Sequence, residues 1–252
     1  MNGYQAPKGS FRYALAQEMN HAWYTNSLVG LVLYGAWNVG KSSYCIKVLM
    51  DLWDDPKGNR LDEWKHYIVF KPEHYTALNL YLMSKGEKAK MEIWDDAGLW
   101  LYALEWADNK VKGAVKFLNV AKTTSAGLVL TTPTPKMIVK KVMDIEGINI
   151  GKVTRATGAS QTLRIAKVYK NSMDIIGKHR INTYLEDPFN VMLPDHVWEW
   201  YNPLRVGYAK EALSMLAKAH GVDVDFTRFN SVAEAFDYIL REGVKSELAG
   251  TV

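Results

Sequence analysis

The sequence predicts an α/β protein built on a mainly parallel sheet in three layers. Short apolar runs, each too short for a core helix, alternate with helical segments between Leu28 and Leu130. A glycine-rich segment separates the first such run from the first long helix. From Ile148 onward polar and apolar residues alternate, which is typical of an antiparallel ribbon. We therefore predict a layered core that is extended by an antiparallel β-ribbon and C-terminal helices, all in one structural domain.

Local sequence patterns predict where the strands and helices lie. The predicted strands are 28–34, 67–70, 91–94, 128–130, 148–154, 162–169 and 180–185, and the predicted helices include 41–53, 72–83, 99–122 and 203–221. Ser10 is the predicted N-cap of a first helix, and Ser231 with Glu234 forms a capping box for the last one. Pro194 and Pro203 occupy positions that suit the first turn of a helix. The predicted segments are an N-terminal helix (1–27), a core (28–155), a basic β-ribbon (156–192) and C-terminal helices (193–252).

Composition excludes several classes of protein. The 252 residues are 48% hydrophobic and 23% charged, as in ordinary globular proteins. Lys and Arg number 31 against 27 Asp and Glu, so any nucleic-acid site must depend on local clustering of charge. The longest uncharged apolar stretch, 27–34, is too short to span a bilayer, and the polar start lacks a signal peptide. With the single cysteine Cys45, these features predict a soluble cytoplasmic protein without a membrane partner.

The glycine-rich segment carries the clearest chemistry. Residues 35–42 match the phosphate-binding motif G-x-x-x-x-G-K-[ST] between a predicted strand and a predicted helix. Backbone N–H groups of such a loop cradle phosphates, while Lys41 would reach the β- and γ-phosphates and Ser42 would bind Mg²⁺. The alternative is a structural glycine-rich turn. The predicted nucleotide-binding residues are Gly35, Ala36, Trp37, Asn38, Val39, Gly40, Lys41, Ser42 and Ser43, and the predicted cofactors are ATP and Mg²⁺.

Two acids end the apolar run at 91–94. In phosphate-loop NTPases an acid at the tip of a neighbouring strand holds Mg²⁺, and a second acid polarises the attacking water. We assign Asp95 to the metal and Asp96 to the water. The alternative is that the two carboxylates only cap the helix that begins near Gly98.

Two hydroxyls end the apolar run at 128–130. Thr131 and Thr132 are expected at the carboxyl edge of the sheet, where ligands of open α/β sheets bind. Either hydroxyl is a candidate to orient the lytic water or to sense the γ-phosphate. Threonine before proline is also ordinary loop composition, which is the alternative for this segment.

These segments together resemble a known family. The chain is similar to the phosphate-loop ATPases of spindle-shaped viruses of Sulfolobales and related archaeal plasmids, which are described as similar to the DnaA/DnaC branch of AAA+ proteins. The resemblance covers about residues 28 to 216 and is carried by segments 34–42, 93–101, 127–135 and 193–198, with Tyr201 and Arg205. It implies an AAA+-like ATPase that assembles into homo-oligomers, as a ring or a filament, on DNA, with other replication proteins as candidate partners. The chain departs from AAA+ proteins in having Asp95-Asp96 where Asp-Glu is usual, and in lacking the sensor asparagine and a clear sensor arginine.

Cations outside these motifs are assigned two roles. Phosphoryl transfer benefits from an arginine that is often donated by a neighbouring subunit. Arg155 is the first candidate for this role and Arg180 the second, with a solvated surface arginine as the alternative.

The segment from Lys152 to Arg180 holds one acid, Asp174, and predicts phosphate contacts to DNA. An edge strand guarded by lysines is the alternative. The predicted DNA contacts are Arg164, Lys167, Lys170, Lys178 and Arg180.

Three functions compete at this point. The first is a DNA-associated assembly ATPase of an archaeal mobile element, acting in replication initiation or helicase loading. The second is a nucleotide or small-molecule kinase, although the sequence shows no Arg-rich lid for an acceptor phosphate. The third is a nucleotide-gated DNA-binding regulator with little turnover.

Overall fold

The computed structural model describes residues 11–102, 109–118, 120–145, 147–156, 161–173, 179–219, 231–234 and 238. Its centre is a seven-stranded sheet with the order β2-β3-β4-β1-β5-β6-β7. The strands are β1 (Val29–Tyr34), β2 (Ile68–Val69), β3 (Glu92–Trp94), β4 (Gly127–Thr132), β5 (Ile148–Arg155), β6 (Leu163–Met173) and β7 (His179–Asn190). Strands β1 to β5 are parallel, whereas β6 and β7 are antiparallel to their neighbours. The predicted α/β class, a mainly parallel sheet with an antiparallel ribbon, is confirmed.

Helices alternate with these strands along the described part of the chain. They are α1 (Ala14–Tyr24), α2 (Lys41–Leu52), α3 (Leu61–Trp64), α4 (Pro72–Lys85), α5 (Ala97–Trp100), α6 (Asn109–Leu118), α7 (Lys140–Met143) and α8 (Asp195–Ala219). Short 3-10 turns occupy Lys65–Tyr67, Ala121–Thr123 and Pro135–Met137. None of the helices within the described ranges is long and apolar enough to cross a membrane. The chain divides into two compact units, residues 1–197 and 198–252.

Burial explains the central strands. The apolar side chains of β1 between Leu31 and Leu33, and those of β4 between Leu128 and Leu130, are fully buried. Strands covered on both faces read as continuous apolar runs, which is why the sequence pattern located them. In register, Leu31 lies beside Val129 of β4 and beside Asn149 of β5. The carboxyl ends of β1 and β4 therefore meet at one edge of the sheet.

Several element boundaries differ from the predicted ones. The helix predicted at 99–122 is interrupted, because Tyr102 bridges to Ile138 instead of continuing α5. Pro203 lies inside α8, not in its first turn, so its ring removes one internal hydrogen bond of a continuing helix. Helix α1 has Tyr13 at its N-cap position, and Ser10 lies outside the described residues. The Ser231 hydroxyl accepts the Glu234 N–H at 3.1 Å, which confirms the serine half of the predicted capping box.

A buried carboxylate takes the place of a local cap for α1. Asp187 of β7 accepts the N–H groups of Ala14 at 2.8 Å and Leu15 at 3.2 Å. The Tyr44 hydroxyl of α2 donates to the same carboxylate at 2.6 Å. Burial and the Asp187 charge raise the pKa of Tyr44 well above its usual value, so this hydroxyl remains a donor. Asp187 thus ties the first helix, the second helix and the last strand of the sheet together.

We expect Asp187→Ala to lower the free energy of unfolding by about 3 kcal/mol, because three buried donors lose their charged acceptor. Tyr44→Phe removes one of these bonds and is expected to cost about 1 kcal/mol. Urea unfolding measures both values. Asp144→Ala, at an exposed site after α7, serves as the control and should change the value by less than about 0.5 kcal/mol. An unchanged urea midpoint for Asp187→Ala would contradict the proposed role of the cap.

Candidate nucleotide site

The glycine-rich motif forms the turn from β1 into α2. Gly40 precedes α2 with φ 100°, a conformation that side chains rarely adopt. A Cβ atom at Gly40 would lie 2.6 Å from Cγ1 of Val191, and a Cβ at Gly35 would lie 2.7 Å from the carbonyl oxygen of Val153. Both glycines are therefore required by close packing against β5 and the segment after β7. The loop backbone ends at the N-terminus of α2, where N–H groups and the helix dipole favour an anion.

Lys41 folds over this loop. Its Nζ donates to the carbonyl oxygens of Gly35 at 2.9 Å and Ala36 at 3.2 Å. Only 8% of Lys41 is exposed, so the ammonium group is held at the loop and not in bulk water. Trp37, in contrast, is 81% exposed. The loop therefore presents one fixed cation and one accessible aromatic ring.

Strand β3 delivers Asp95 to the start of α2. The Ser42 hydroxyl donates to Oδ1 of Asp95 at 2.9 Å, and the Thr131 hydroxyl donates to the same oxygen at 2.6 Å. Asp95 is 1% exposed, and its N–H donates to the carbonyl oxygen of Val69. The strand that carries Asp95 is not adjacent to β1, because β4 lies between them. The expectation of a neighbouring strand was wrong, yet the two predicted metal ligands are in direct contact.

Two of the other predicted catalytic groups, Thr131 and Asp96, lie next to Asp95. The Asp96 N–H donates to the Thr131 hydroxyl at 2.8 Å, so Thr131 links the two acids. Asp96 itself is exposed and has φ 52°. The Thr132 hydroxyl donates to the carbonyl oxygen of Thr134 at 3.0 Å. Thr131 therefore orients Asp95, whereas the hydroxyl of Thr132 is engaged by its own loop.

Arg164 does not occupy the exposed position that was predicted for a DNA contact. It is 6% exposed, and its Nε donates to the carbonyl oxygen of Val39 in the phosphate loop at 3.1 Å. Its Nη1 donates to two further carbonyl oxygens, those of Gln161 and Leu163. A guanidinium held in this way braces the loop and does not present itself to a nucleic-acid backbone. The sequence predicted Arg164 only as a DNA contact, and this supporting role at the loop was missed.

Elsewhere in the predicted basic ribbon, an acid offsets part of the positive charge that the sequence indicated. Lys167 forms an ion pair with Glu186 at 2.9 Å, because β7 places that acid directly opposite. This pairing raises the pKa of Lys167. Lys170 is exposed, with its Nζ 5.7 Å from the ring centroid of Tyr184. The acids of β7 follow residue 180 in the sequence, so the segment 152–180 alone overstates the positive charge of the ribbon.

Within the described residues, no contact tests the roles predicted for Arg155 and Arg180. Arg155 is exposed at the end of β5, where it lies opposite Arg164 in the register of β6. Arg180 lies in β7 opposite Ser172. Lys178 is outside the described residues. The roles assigned to all three remain predictions.

Comparisons with known proteins show remote similarities. No family model matches the chain. The chain is 24% identical over 214 residues to the uncharacterized protein B-251 of Sulfolobus spindle-shape virus 1, an alignment that covers 80% of this chain and 83% of that protein. The crystal structure of the N-terminal domain of zonular occludens toxin from Neisseria meningitidis is similar over 69% of this chain and 98% of that domain, with 14% identity and a TM-score of 0.38. A relative from a spindle-shaped virus agrees with the coarser part of the predicted resemblance, while the DnaA/DnaC-like assignment stays a prediction.

Proposed function

We propose that this chain is a phosphate-loop ATPase in which ATP and Mg²⁺ bind between residues 35–42 and Asp95. The observation that supports the proposal most directly is the 2.9 Å contact between the Ser42 hydroxyl and the Asp95 carboxylate. These are the two oxygen ligands through which phosphate-loop enzymes hold Mg²⁺, and hard oxygen ligands suit that ion. Bound there, Mg²⁺ would neutralise charge on the β- and γ-phosphates.

The remaining groups have distinct tasks in this proposal. Loop N–H groups at the start of α2 bind the phosphates, and Lys41 exchanges its two loop carbonyls for phosphate oxygens. Thr131 keeps the Asp95 carboxylate in place through its hydroxyl. Asp96, which is exposed at the end of the same strand, accepts the proton of the attacking water. Arg164 holds the loop backbone from behind, at Val39.

ATP turnover with and without DNA tests this function against its two alternatives. An ATPase releases phosphate with water as the only acceptor. A kinase requires an added acceptor, and a nucleotide-gated regulator binds ATP with little release of phosphate. The absence of turnover under all conditions, with ATP still bound, would replace the proposed activity by the third function.

We expect Asp96→Asn to retain ATP and Mg²⁺ while slowing turnover by about 100-fold, because the amide cannot accept the proton of water. Phosphate release measures turnover, and titration with a fluorescent ATP analogue measures binding. Asp144→Asn is the matched control, since it removes an exposed carboxylate that lies outside the site. Wild-type turnover by Asp96→Asn would transfer the water-activating role to another group.

The proposed setting is an assembly on DNA in the cytoplasm of an archaeal host. The viral source of the 24% identical relative supports an origin in a mobile element. Replication initiation or helicase loading is the process that we propose for such an assembly, with other replication proteins as further partners. Sedimentation with ATP analogue, with and without DNA, tests whether homo-oligomers form and whether they need both ligands.

We also propose that Arg155 completes the site of a neighbouring subunit. Its exposure at the end of β5 leaves its side chain accessible to a second copy. Mixing Lys41→Ala subunits with Arg155→Ala subunits should restore part of the turnover that each variant lacks, because some interfaces then contain both intact residues. Assembly without any restored turnover would count against this role.

A further inference from the structure

A pocket lies at the edge of the sheet opposite the phosphate loop, beside the residues that precede β2 and β3. It has a volume of about 390 Å³, and its lining includes Trp23, Trp53, Tyr67, Arg60, Lys88 and Lys90. Trp53 directly follows α2, whose first residue is Lys41. A helix of this length separates the two sites by about 18 Å. The pocket is thus independent of the residues that bind ATP in the proposed site.

Three cations converge on this pocket. Nζ of Lys90 donates to the carbonyl oxygen of Leu52 at 3.1 Å, and Nζ of Lys88 donates to Oδ1 of Asn26 at 3.0 Å. Both acceptors are neutral oxygens, so these hydrogen bonds leave the positive charge of the lysines in place. Arg60 pairs with Glu63. Burial and, to a smaller extent, the charge of Arg60 lower the pKa of Lys90. Because like charges repel, an anion bound beside Arg60 and Lys90 would reduce the repulsion between them.

Three aromatic rings lie near Lys90. Its Nζ lies 5.6 Å from the ring centroid of Trp23 and 5.9 Å from that of Trp53. Tyr67 lies next to Trp53, with the two ring centroids 5.1 Å apart. All three rings are partly exposed. The pocket therefore offers π surfaces beside clustered positive charge, with Asp54 as the acid in its lining.

This combination matches the chemistry of a nucleotide. Single strands are bound by cations that contact phosphates and by aromatic rings on which bases stack. The cavity volume is also within the usual range of about 300–1,000 Å³ for small-ligand sites. A duplex hides its base faces, so the rings favour a single strand. We propose that this pocket binds one nucleotide unit of single-stranded nucleic acid, with the base against the rings and the phosphate at Arg60, Lys88 and Lys90.

This pocket would bind DNA at a surface other than the β-ribbon, an inference that rests on the proposed association with DNA. Lys90→Met keeps the aliphatic stem near the rings but removes the charge. We expect this variant to bind a labelled oligothymidylate about tenfold more weakly, and to reduce the slope of log affinity against log salt by about 0.7. Trp53→Leu should weaken binding by about tenfold without changing that slope. Fluorescence anisotropy measures both quantities.

Lys116→Met is the matched control, because Lys116 is exposed on α6 and outside this pocket. Its affinity should equal that of the wild type, and all variants should keep the wild-type melting temperature and ATP turnover without DNA. Unchanged strand affinity of Lys90→Met and Trp53→Leu would overturn the pocket assignment while leaving the ATPase proposal intact. Displacement of the oligonucleotide by an equal concentration of thymidine monophosphate would also overturn it, since the pocket would then serve free nucleotides.

Discussion

Lys41→Ala is expected to abolish ATP turnover, with a loss of at least about 1,000-fold, and to weaken ATP binding strongly. The reason is electrostatic: Lys41 supplies the fixed cation at the phosphate loop, where low exposure strengthens its attraction for the β- and γ-phosphates. The substitution also removes the lysine donor from the carbonyl oxygens of Gly35 and Ala36, of which the second still accepts the Val39 N–H. Phosphate release and titration with a fluorescent ATP analogue measure the two effects.

Lys85→Ala provides the comparison for this variant. Lys85 is exposed in the last turn of α4, far along the chain from the loop, so its removal should leave turnover unchanged. Circular dichroism should show that both variants are folded. Turnover of Lys41→Ala within tenfold of the wild type would mean that residues 35–42 form a structural turn and not a phosphate site.

The second large effect comes from a buried acid on β3. Glu92 is completely buried, and one of its carboxylate oxygens accepts a hydrogen bond from Nδ2 of Asn79 at 3.0 Å. Burial raises the pKa of Glu92 from 4.5 to about 8. Between about pH 4.5 and about pH 8 the folded protein therefore keeps a proton on Glu92 that the unfolded chain has already released.

We expect the free energy of unfolding to fall as the pH rises from about 4.5 to about 8, since the folded state binds the extra proton across this range. The maximum loss from Glu92 is about 5 kcal/mol, which is a large share of the stability of a typical domain. Glu92→Gln should remove this loss and make the protein more stable than the wild type at pH 9. Urea unfolding at several pH values measures the difference between the two proteins.

The difference between wild type and Glu92→Gln isolates the contribution of this acid from those of all other titratable groups, which the two proteins share. At pH 5 the two proteins should differ little, because the protonated carboxyl and the amide are both neutral. Parallel decline of both proteins between pH 5 and pH 9 would show that another group carries the pH dependence. Glu92 lies at the start of β3 and Asp95 just beyond its end, so the substitution leaves the proposed metal ligands in place.

Local patterns predicted the parts of the molecule that depend on neighbouring residues. The phosphate motif, the buried strand before it and the acids after β3 each occupy a short segment, so the sequence located them. The contact between Ser42 and Asp95 followed from a general property of parallel sheets, whose carboxyl ends share an edge. The intervening position of β4 did not follow, because no short-range pattern records strand order.

Arg164 shows why the rest escaped prediction. Its partner Val39 is 125 positions away in sequence, and a cation beside other cations was interpreted as an exposed phosphate contact. A signal was present, because Arg164 shares one face of β6 with the apolar residues Ala166 and Val168, which are buried. The pairing of Lys167 with Glu186 likewise depends on the register of two strands, which composition cannot supply.

The brace at Val39 has a consequence for the order of events during synthesis. The phosphate loop is made early, but Arg164 emerges from the ribosome 125 residues after Val39, and Val191, which packs against Gly40, emerges later still. Helix α1 waits longer for its cap, because Asp187 follows Ala14 by 173 residues. Contacts of such large sequence separation form late in folding. A nascent chain that ends before β6 therefore carries the complete phosphate motif without its support, so in the proposed function nucleotide affinity would be acquired only after β6 and β7 have been made.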